Sequence, residues 1–181
     1  KAVSPIVAPA NLASMESTIR SRTAKVLDEL PRNEDFNWVQ RVSIELTTQM
    51  LATLFDFPFE DRKLLTWWSD VATSNPDLDK LVESEDARRA ELGKMLAYFT
   101  RLWNERVNAP PRNDLLSMMA HSDATRHMDP DNLMGNIILL IVGGNDTTRN
   151  SMTKSVLALN ENPEQYDKLR ANHALIDTFV P

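Results

Sequence analysis

The sequence predicts a mainly α-helical fold built around one long central helix. Three observations predict it: apolar residues recur at intervals of three and four, residues of high helix propensity predominate, and only four residues are glycine. Hydrophobic residues make up 42% of the 181 residues, which is enough to form a core. No linker or internal repeat divides the sequence, so we expect a single domain over residues 1–181.

The sequence of the first half of the chain predicts four helices, which are separated by proline-containing breaks. Pro9 precedes the first helix and Pro31 closes it, whereas Pro58 separates the second helix from the third. The polar segment 32–37 has room for a short strand. The helices are predicted at residues 10–30, 38–55, 60–73 and 85–107.

The second half of the chain contains the longest predicted helix. Pro110 and Pro111 end the helix before it. Asp129 is suited to cap the free backbone N–H groups of the long helix, and Pro130 suits its first turn. The predicted ranges are 114–120, 129–159 for the central helix, and 162–171. At 1.5 Å per residue the central helix is roughly 45 Å long.

The composition argues against several classes of function. A net charge of -6 argues against a nucleic-acid-binding protein, which would need a basic surface. The chain has no cysteine, which excludes disulfides, cysteine metal ligands and a cysteine nucleophile within it. His121 and His127 are six residues apart and do not share a helical face, so we expect no metal site there. The longest apolar run, residues 137–142, is too short to cross a membrane.

The run Gly143-Gly144-Asn145-Asp146-Thr147-Thr148 has two interpretations. The glycines are either a turn between two helices or part of one continuous helix. The apolar spacing favours the continuous helix, because it resumes in register after the glycines. The stripe consists of Met134, Ile138 and Ile141, followed by Asn145, Thr148, Met152, Val156 and Leu159.

A continuous helix gives the two glycines a specific consequence. Glycine lets another molecule approach the backbone closely and weakens the local helix, which can bulge or kink there. Thr147 lies four residues after Gly143 and three after Gly144, so its hydroxyl faces the same side as this gap. Asp146 adds an acid in an otherwise apolar stretch, which suits proton delivery.

These residues resemble the central helix of the cytochrome P-450 haem-thiolate monooxygenases. In that family a small residue and a glycine are followed by any residue, an acid, and Thr-Thr or Thr-Ser. Here Gly143, Gly144, Asp146, Thr147 and Thr148 match every constrained position. The flanking segments 131–136 and 162–165 are also similar to the family. The wider run, through 149–150 and 157–160, resembles a bacterial branch that hydroxylates medium-chain alkanes and fatty acids, often at the terminal carbon.

The resemblance implies two catalytic residues and a cofactor. Thr147 would hydrogen-bond dioxygen, and Asp146 would relay protons to it. Gly143, Gly144 and Thr148 would lie at the haem, with the glycines making room for dioxygen. The complete protein would bind haem, but this chain would supply no metal ligand, because the family's iron-ligating cysteine is not in it.

The resemblance also implies a substrate pocket and partners. Leu139, Val142 and Gly143 would line an apolar pocket for a small apolar substrate. Ferredoxin and its reductase would deliver electrons in the cytoplasm. The resemblance covers only the middle portion of the family fold, so we expect an incomplete domain that is inactive alone. The alternative is a non-enzymatic helical module that binds a ligand or regulates a partner, with Gly143 and Gly144 forming a turn.

Overall fold

The computed structural model describes residue 4 and residues 8–180 as a bundle of α-helices. Residues 1–3, 5–7 and 181, which the predicted domain included, lie outside the described residues. The helices are α1 (Pro9–Asp28), α2 (Ile44–Phe55), α3 (Lys63–Thr73), α4 (Glu85–Val107), α5 (Leu115–His121), α6 (Pro130–Glu161), α7 (Pro163–Ala171) and α8 (Ile176–Phe179). No strand occurs among residues 8–180, which confirms the predicted α-helical class.

The core lies where α2, α3, α4 and α5 meet the first half of α6. Side chains that are almost completely buried come from all five helices, and they include Phe55, Leu65, Phe99, Leu116 and Ile137. The rings of Phe55 and Phe99 meet edge to face with their centroids 5.5 Å apart, a favourable aromatic geometry. Helix α6 packs mainly against α2 and α3, so these two helices position its middle section.

Helix α6 is one uninterrupted helix of 32 residues. Its cap is the predicted one: the Asp129 carboxylate accepts a hydrogen bond from the backbone N–H of Asn132 at 2.8 Å, and Pro130 occupies the first turn. That backbone hydrogen bond lowers the pKa of Asp129 from its usual value. Gly143 and Gly144 are both helical, so the alternative in which they form a turn is wrong.

Two local predictions differ from the structure. The second predicted helix begins as a π-helical segment, Val39–Ser43, before continuing as α2. Residues 32–37 form no strand, because the chain bends there with Asn33 at a φ of 61° and no neighbouring strand pairs with it in the described part of the chain. After residue 171 the chain forms a short 3-10 helix, His173–Leu175, and α8, neither of which was predicted.

An ionic cluster joins the ends of three helices. Arg106, near the end of α4, is 8% exposed and contacts the Asp56 carboxylate after α2 at 2.8 Å. Its Nε also lies 3.8 Å from Oδ2 of Asp114, which is 3% exposed and caps α5. Arg112 pairs with both aspartates. The cluster ties α2, α4 and α5 together on the side of the core away from the middle of α6.

Candidate active site

One side of α6 is open at its middle. Leu139, Gly143 and Thr147 follow one another at intervals of four and therefore share this side, and all three are exposed. The Leu139 side chain is 70% exposed, and a Cβ built on Gly143 would meet no atom within 4 Å. We call this surface the open strip. It is an apolar strip with one hydroxyl, on a helix whose opposite side is buried in the core.

The Thr147 hydroxyl is fixed on the open strip by its own helix. It donates a hydrogen bond to the carbonyl oxygen of Gly143 at 2.8 Å, which confirms that Thr147 faces the same side as Gly143. Because a hydroxyl has one hydrogen, this bond leaves the oxygen lone pairs of Thr147 available as acceptors toward the open side.

Gly144 lies on the packed side of α6 rather than on the open strip. A Cβ built on it would lie 2.7 Å from Cδ2 of Leu51, a core residue of α2 that is 2% exposed. The expectation that both glycines open the same side of the helix is therefore wrong for Gly144. Its missing side chain lets α2 and α6 approach closely, which is the structural use of glycine at a helix crossing.

The remaining predicted site residues flank the open strip. Val142 is partly buried and Thr148 is exposed. The predicted buried stripe holds at Ile141 and Asn145 but fails at Thr148 and Val156, which are exposed. Beyond Asn145 the helix no longer crosses the core, so the spacing of apolar residues in that part of α6 does not indicate which residues are buried.

Asp146 lies within a polar cluster between α3 and α6, not in an apolar surrounding as predicted. Its Oδ1 accepts a hydrogen bond from Nη2 of Arg149 at 2.8 Å. Nη1 of the same arginine binds Oδ1 of Asp70, on α3, at 2.9 Å. Ser69, also on α3, places its hydroxyl 3.4 Å from Oδ1 of Asp146. The Arg149 side chain is 16% exposed, so this double ion pair is partly shielded from water.

Sequence reasoning missed three members of this cluster. Arg149 follows Asp146 by three residues, and that spacing on a helix is a signal for an ion pair. No comparable signal exists for Ser69 and Asp70, because they lie 77 and 79 residues from their partners in sequence. Only the packing of α3 against α6 brings them there.

The part of the chain that the structure describes contains neither a cluster of metal ligands nor a membrane-spanning helix. No three histidine, cysteine, aspartate or glutamate side chains come together as metal ligands among the described residues. Over the same residues, none of the helices combines the length and the hydropathy needed to cross a membrane.

The Gly144–Leu51 contact predicts a loss of stability for Gly144→Ala in the complete protein. The added methyl would overlap Cδ2 of Leu51, which must shift to make room. Because Leu51 is 2% exposed and packed in the core, this overpacking should cost about 1–3 kcal/mol and outweigh the gain in helix propensity of up to about 1 kcal/mol. The matched control is Gly135→Ala, also in α6, where no atom lies within 4 Å and stability should rise. Urea unfolding midpoints measure both changes. Shifts of the same sign and size would contradict the packing role of Gly144.

Comparisons with known proteins agree on one family, although no family profile matches the chain. Linalool 8-monooxygenase from Pseudomonas putida is 28% identical over 179 residues, which cover 98% of this chain and 44% of that protein. The structure of cytochrome P450-153 from Novosphingobium aromaticivorans is 50% identical, with a TM-score of 0.86 over 97% of this chain and 42% of that one. The structure of CYP153D17 from Sphingomonas sp. PAMC 26605 is 48% identical, with a TM-score of 0.84 over 97% of this chain and 44% of that one.

The matched region is therefore less than half of each of these relatives. It extends over almost the whole of this chain. Sequence identity of 50% and a superimposable fold over 97% of the chain agree with the Gly-Gly-x-Asp-Thr-Thr pattern. The chain belongs to the cytochrome P450 family.

Proposed function

We propose that the complete protein is a haem-thiolate monooxygenase, which uses dioxygen and two electrons to insert one oxygen atom into a C–H bond. The observation that carries the proposal is that Thr147, on the open strip, and Asp146, in the adjoining ionic cluster, are consecutive residues in the middle of α6. The Thr147 hydroxyl lies on the open side of α6, whereas the Asp146 carboxylate lies in the cluster between α6 and α3. Together they form a short route for protons across α6.

The open strip fits a haem ring on its outer side. Leu139 is a large apolar side chain left 70% exposed, and the space beside Gly143 contains no protein atom within 4 Å of a built Cβ. A flat apolar ring would cover the Leu139 side chain and occupy the space beside Gly143. Haem, when bound, would supply the redox chemistry that activates dioxygen. Its iron ligand would not come from this chain, which has no cysteine.

Each polar residue of the site then has its own role in the proposed proton transfer. Thr147 keeps its hydrogen on the Gly143 carbonyl, so it accepts a hydrogen bond from a water on the open side. Asp146 takes a proton from the solvent side and passes it to this water, which Thr147 holds in place. Arg149 and Asp70 hold the Asp146 carboxylate at the edge of α3 between transfers. We propose that Gly143 and Thr148 border the cofactor.

We propose that the substrate is a medium-chain alkane or fatty acid. Leu139 and Val142 offer apolar surface beside the oxygen-handling residues and no charge to bind a polar substrate. Relatives are named for the oxidation of linalool and, in Mycobacterium tuberculosis, of a steroid at C26. Both are largely hydrocarbon molecules. Electrons would arrive from a ferredoxin and its reductase, in the cytoplasm.

The test uses the complete protein with a ferredoxin and its reductase. Reduction under carbon monoxide should give the red-shifted Soret band of a thiolate-bound haem. Octane and dodecanoic acid should be converted to alcohols that carry label from ¹⁸O₂. The 181-residue chain alone should give no such band, because it has no cysteine.

The two parts of the proposal can fail separately. A complete protein that binds no haem, or binds it without the thiolate-type band, would show that the monooxygenase assignment is wrong. A normal band with labelled product from linalool but none from octane or dodecanoic acid would overturn the substrate class alone.

A further inference from the structure

The two oxygens of the Asp146 carboxylate have different surroundings. Oδ1 receives all of the donors: Nη2 of Arg149 at 2.8 Å, the Ser69 hydroxyl at 3.4 Å and Nδ2 of Asn145 at 3.5 Å. Oδ2 makes no hydrogen bond to any residue that the structure describes, and it is not among the buried polar atoms without a partner. Oδ1 is therefore anchored, and Oδ2 is the oxygen left accessible.

Asn145 is the least expected of these donors. It lies at the centre of α6 with 0% exposure, among core side chains, where an amide costs free energy unless its polar atoms are paired. Its Oδ1 lies 3.0 Å from the hydroxyl of Thr47, which is 3% exposed on α2. The opposite orientation of the amide would set its oxygen against the Asp146 carboxylate. The Asp146 carboxylate on one side and the Thr47 hydroxyl on the other therefore favour the orientation in which the amide N–H groups face Asp146.

Thr47 is itself held by its helix. Its hydroxyl lies 2.9 Å from the carbonyl of Ser43, in the π-helical segment, 3.1 Å from the carbonyl of Ile44 and 3.0 Å from Oδ1 of Asn145, and these three oxygens are alternative acceptors for its one hydrogen. On the other side of Asp146, Ser69 is fully buried on α3. Two series of contacts therefore lead to the Asp146 carboxylate. One runs from Thr47 on α2 through Asn145, and the other comes directly from Ser69 on α3.

We propose that Asn145, Thr47 and Ser69 are positioning residues that hold Asp146 through Oδ1, so that each relayed proton is taken up and released at Oδ2. A carboxylic acid carries its hydrogen on the oxygen that does not accept hydrogen bonds from fixed donors. In each cycle Oδ2 binds one proton from the solvent side and gives it up to the water that Thr147 holds on the open side, and the carboxylate is restored. The inference rests on the proposed function, in which Asp146 relays protons.

The test compares variants of the complete enzyme. Thr47→Val keeps the side-chain shape but removes the hydroxyl, and Asn145→Leu removes the amide. Each should lower the product formed per electron pair by up to about tenfold, the upper end expected for losing one buried hydrogen bond, with an unchanged KM for substrate. Thr47→Ser should restore coupling to within about twofold, because the hydroxyl remains. Infrared difference spectra of the ferric enzyme, with Asp146→Asn as reference, should show changed Asp146 carboxylate bands in the first two variants only.

Thr153→Val provides the matched control. The Thr153 hydroxyl, on α6, lies 2.9 Å from the backbone carbonyl of Arg149 and 3.0 Å from the Ser43 hydroxyl in the π-helical segment, but it does not contact Asp146. This variant should leave coupling and the carboxylate bands unchanged. Should Asn145→Leu fail to fold, the Thr47→Val and Thr47→Ser pair still decides the question.

The outcomes separate this proposal from the proposed function. Normal coupling and unchanged bands in folded Thr47→Val would overturn the positioning role, as would lower coupling with a raised KM. If Asp146→Asn also turns over at the normal rate, the relay role of Asp146 is wrong as well. Slow Asp146→Asn with normal Thr47→Val would leave the relay in place and reject only its positioning.

Discussion

Asp146→Asn should slow product formation by the complete enzyme about 10²–10³-fold, the effect expected for loss of a positioned proton donor. Asparagine has nearly the same shape and can still contact Arg149, but its amide neither takes up nor releases a proton at neutral pH. Substrate binding should not change, because Asp146 faces the α3 cluster rather than the open strip. Single-turnover rates of product formation, together with substrate-induced spectral shifts, measure the two effects separately.

Two further variants distinguish a relay from a merely structural ion pair. Asp70→Asn removes the other carboxylate bound to Arg149, and it should slow product formation by no more than about threefold, as expected for a partly exposed pair. Thr147→Ala should keep electron uptake fast while product per electron falls, since it alters the open side and not the proton source. Equal losses in Asp146→Asn and Asp70→Asn would mean that the ion pair, not proton transfer, limits the reaction.

Arg106→Met should destabilise the complete protein by about 3 kcal/mol. The substitution keeps much of the side-chain volume but leaves the buried Asp114 carboxylate without one of its two cations. The value lies at the low end for a broken buried pair, because Arg112 remains 3.4 Å from Asp114 and the backbone N–H of Ser117 still donates to it. Chemical denaturation of the complete protein, monitored by far-ultraviolet circular dichroism, measures the loss.

Arg89→Met is the control for this cluster, since Arg89 also belongs to α4 and pairs with Glu85 at 3.4 Å, but its side chain is 72% exposed. It should cost less than about 1 kcal/mol. Adding Asp114→Asn to Arg106→Met should recover part of the loss, because asparagine can still cap α5 and leaves no unpaired charge. Similar losses in Arg106→Met and Arg89→Met would show that burial does not set the strength of this cluster.

The helices could be predicted from sequence because their ends carry local signals. Helix α4 was predicted at the bounds it has, and α6 differs from its predicted range by one residue at its start and two at its end. Asp129 and Pro130 define that start through local backbone geometry. The π-helical segment before α2 could not be predicted, because its residues are ordinary helix formers and the extra residue per turn depends on packing against α6.

The candidate site was predictable only where one helix contains the whole interaction. The bond from Thr147 to Gly143 follows from an interval of four residues. Gly144 and Asp146 were expected to face an opening and an apolar surrounding, respectively, and both expectations were wrong. Their actual neighbours, Leu51 and Ser69, come from α2 and α3, and single-helix periodicity contains no information about them.

The middle of α6 has a consequence for when its polar side chains become ordered. The hydrogen bonds that orient Thr147, Asn145 and Asp146 are made within α6 or to α2. The conformational entropy lost in ordering these side chains is therefore lost when the bundle folds. Folding of the bundle and ordering of these three side chains are thus one thermodynamic event, so variants that destabilise the bundle should also loosen them.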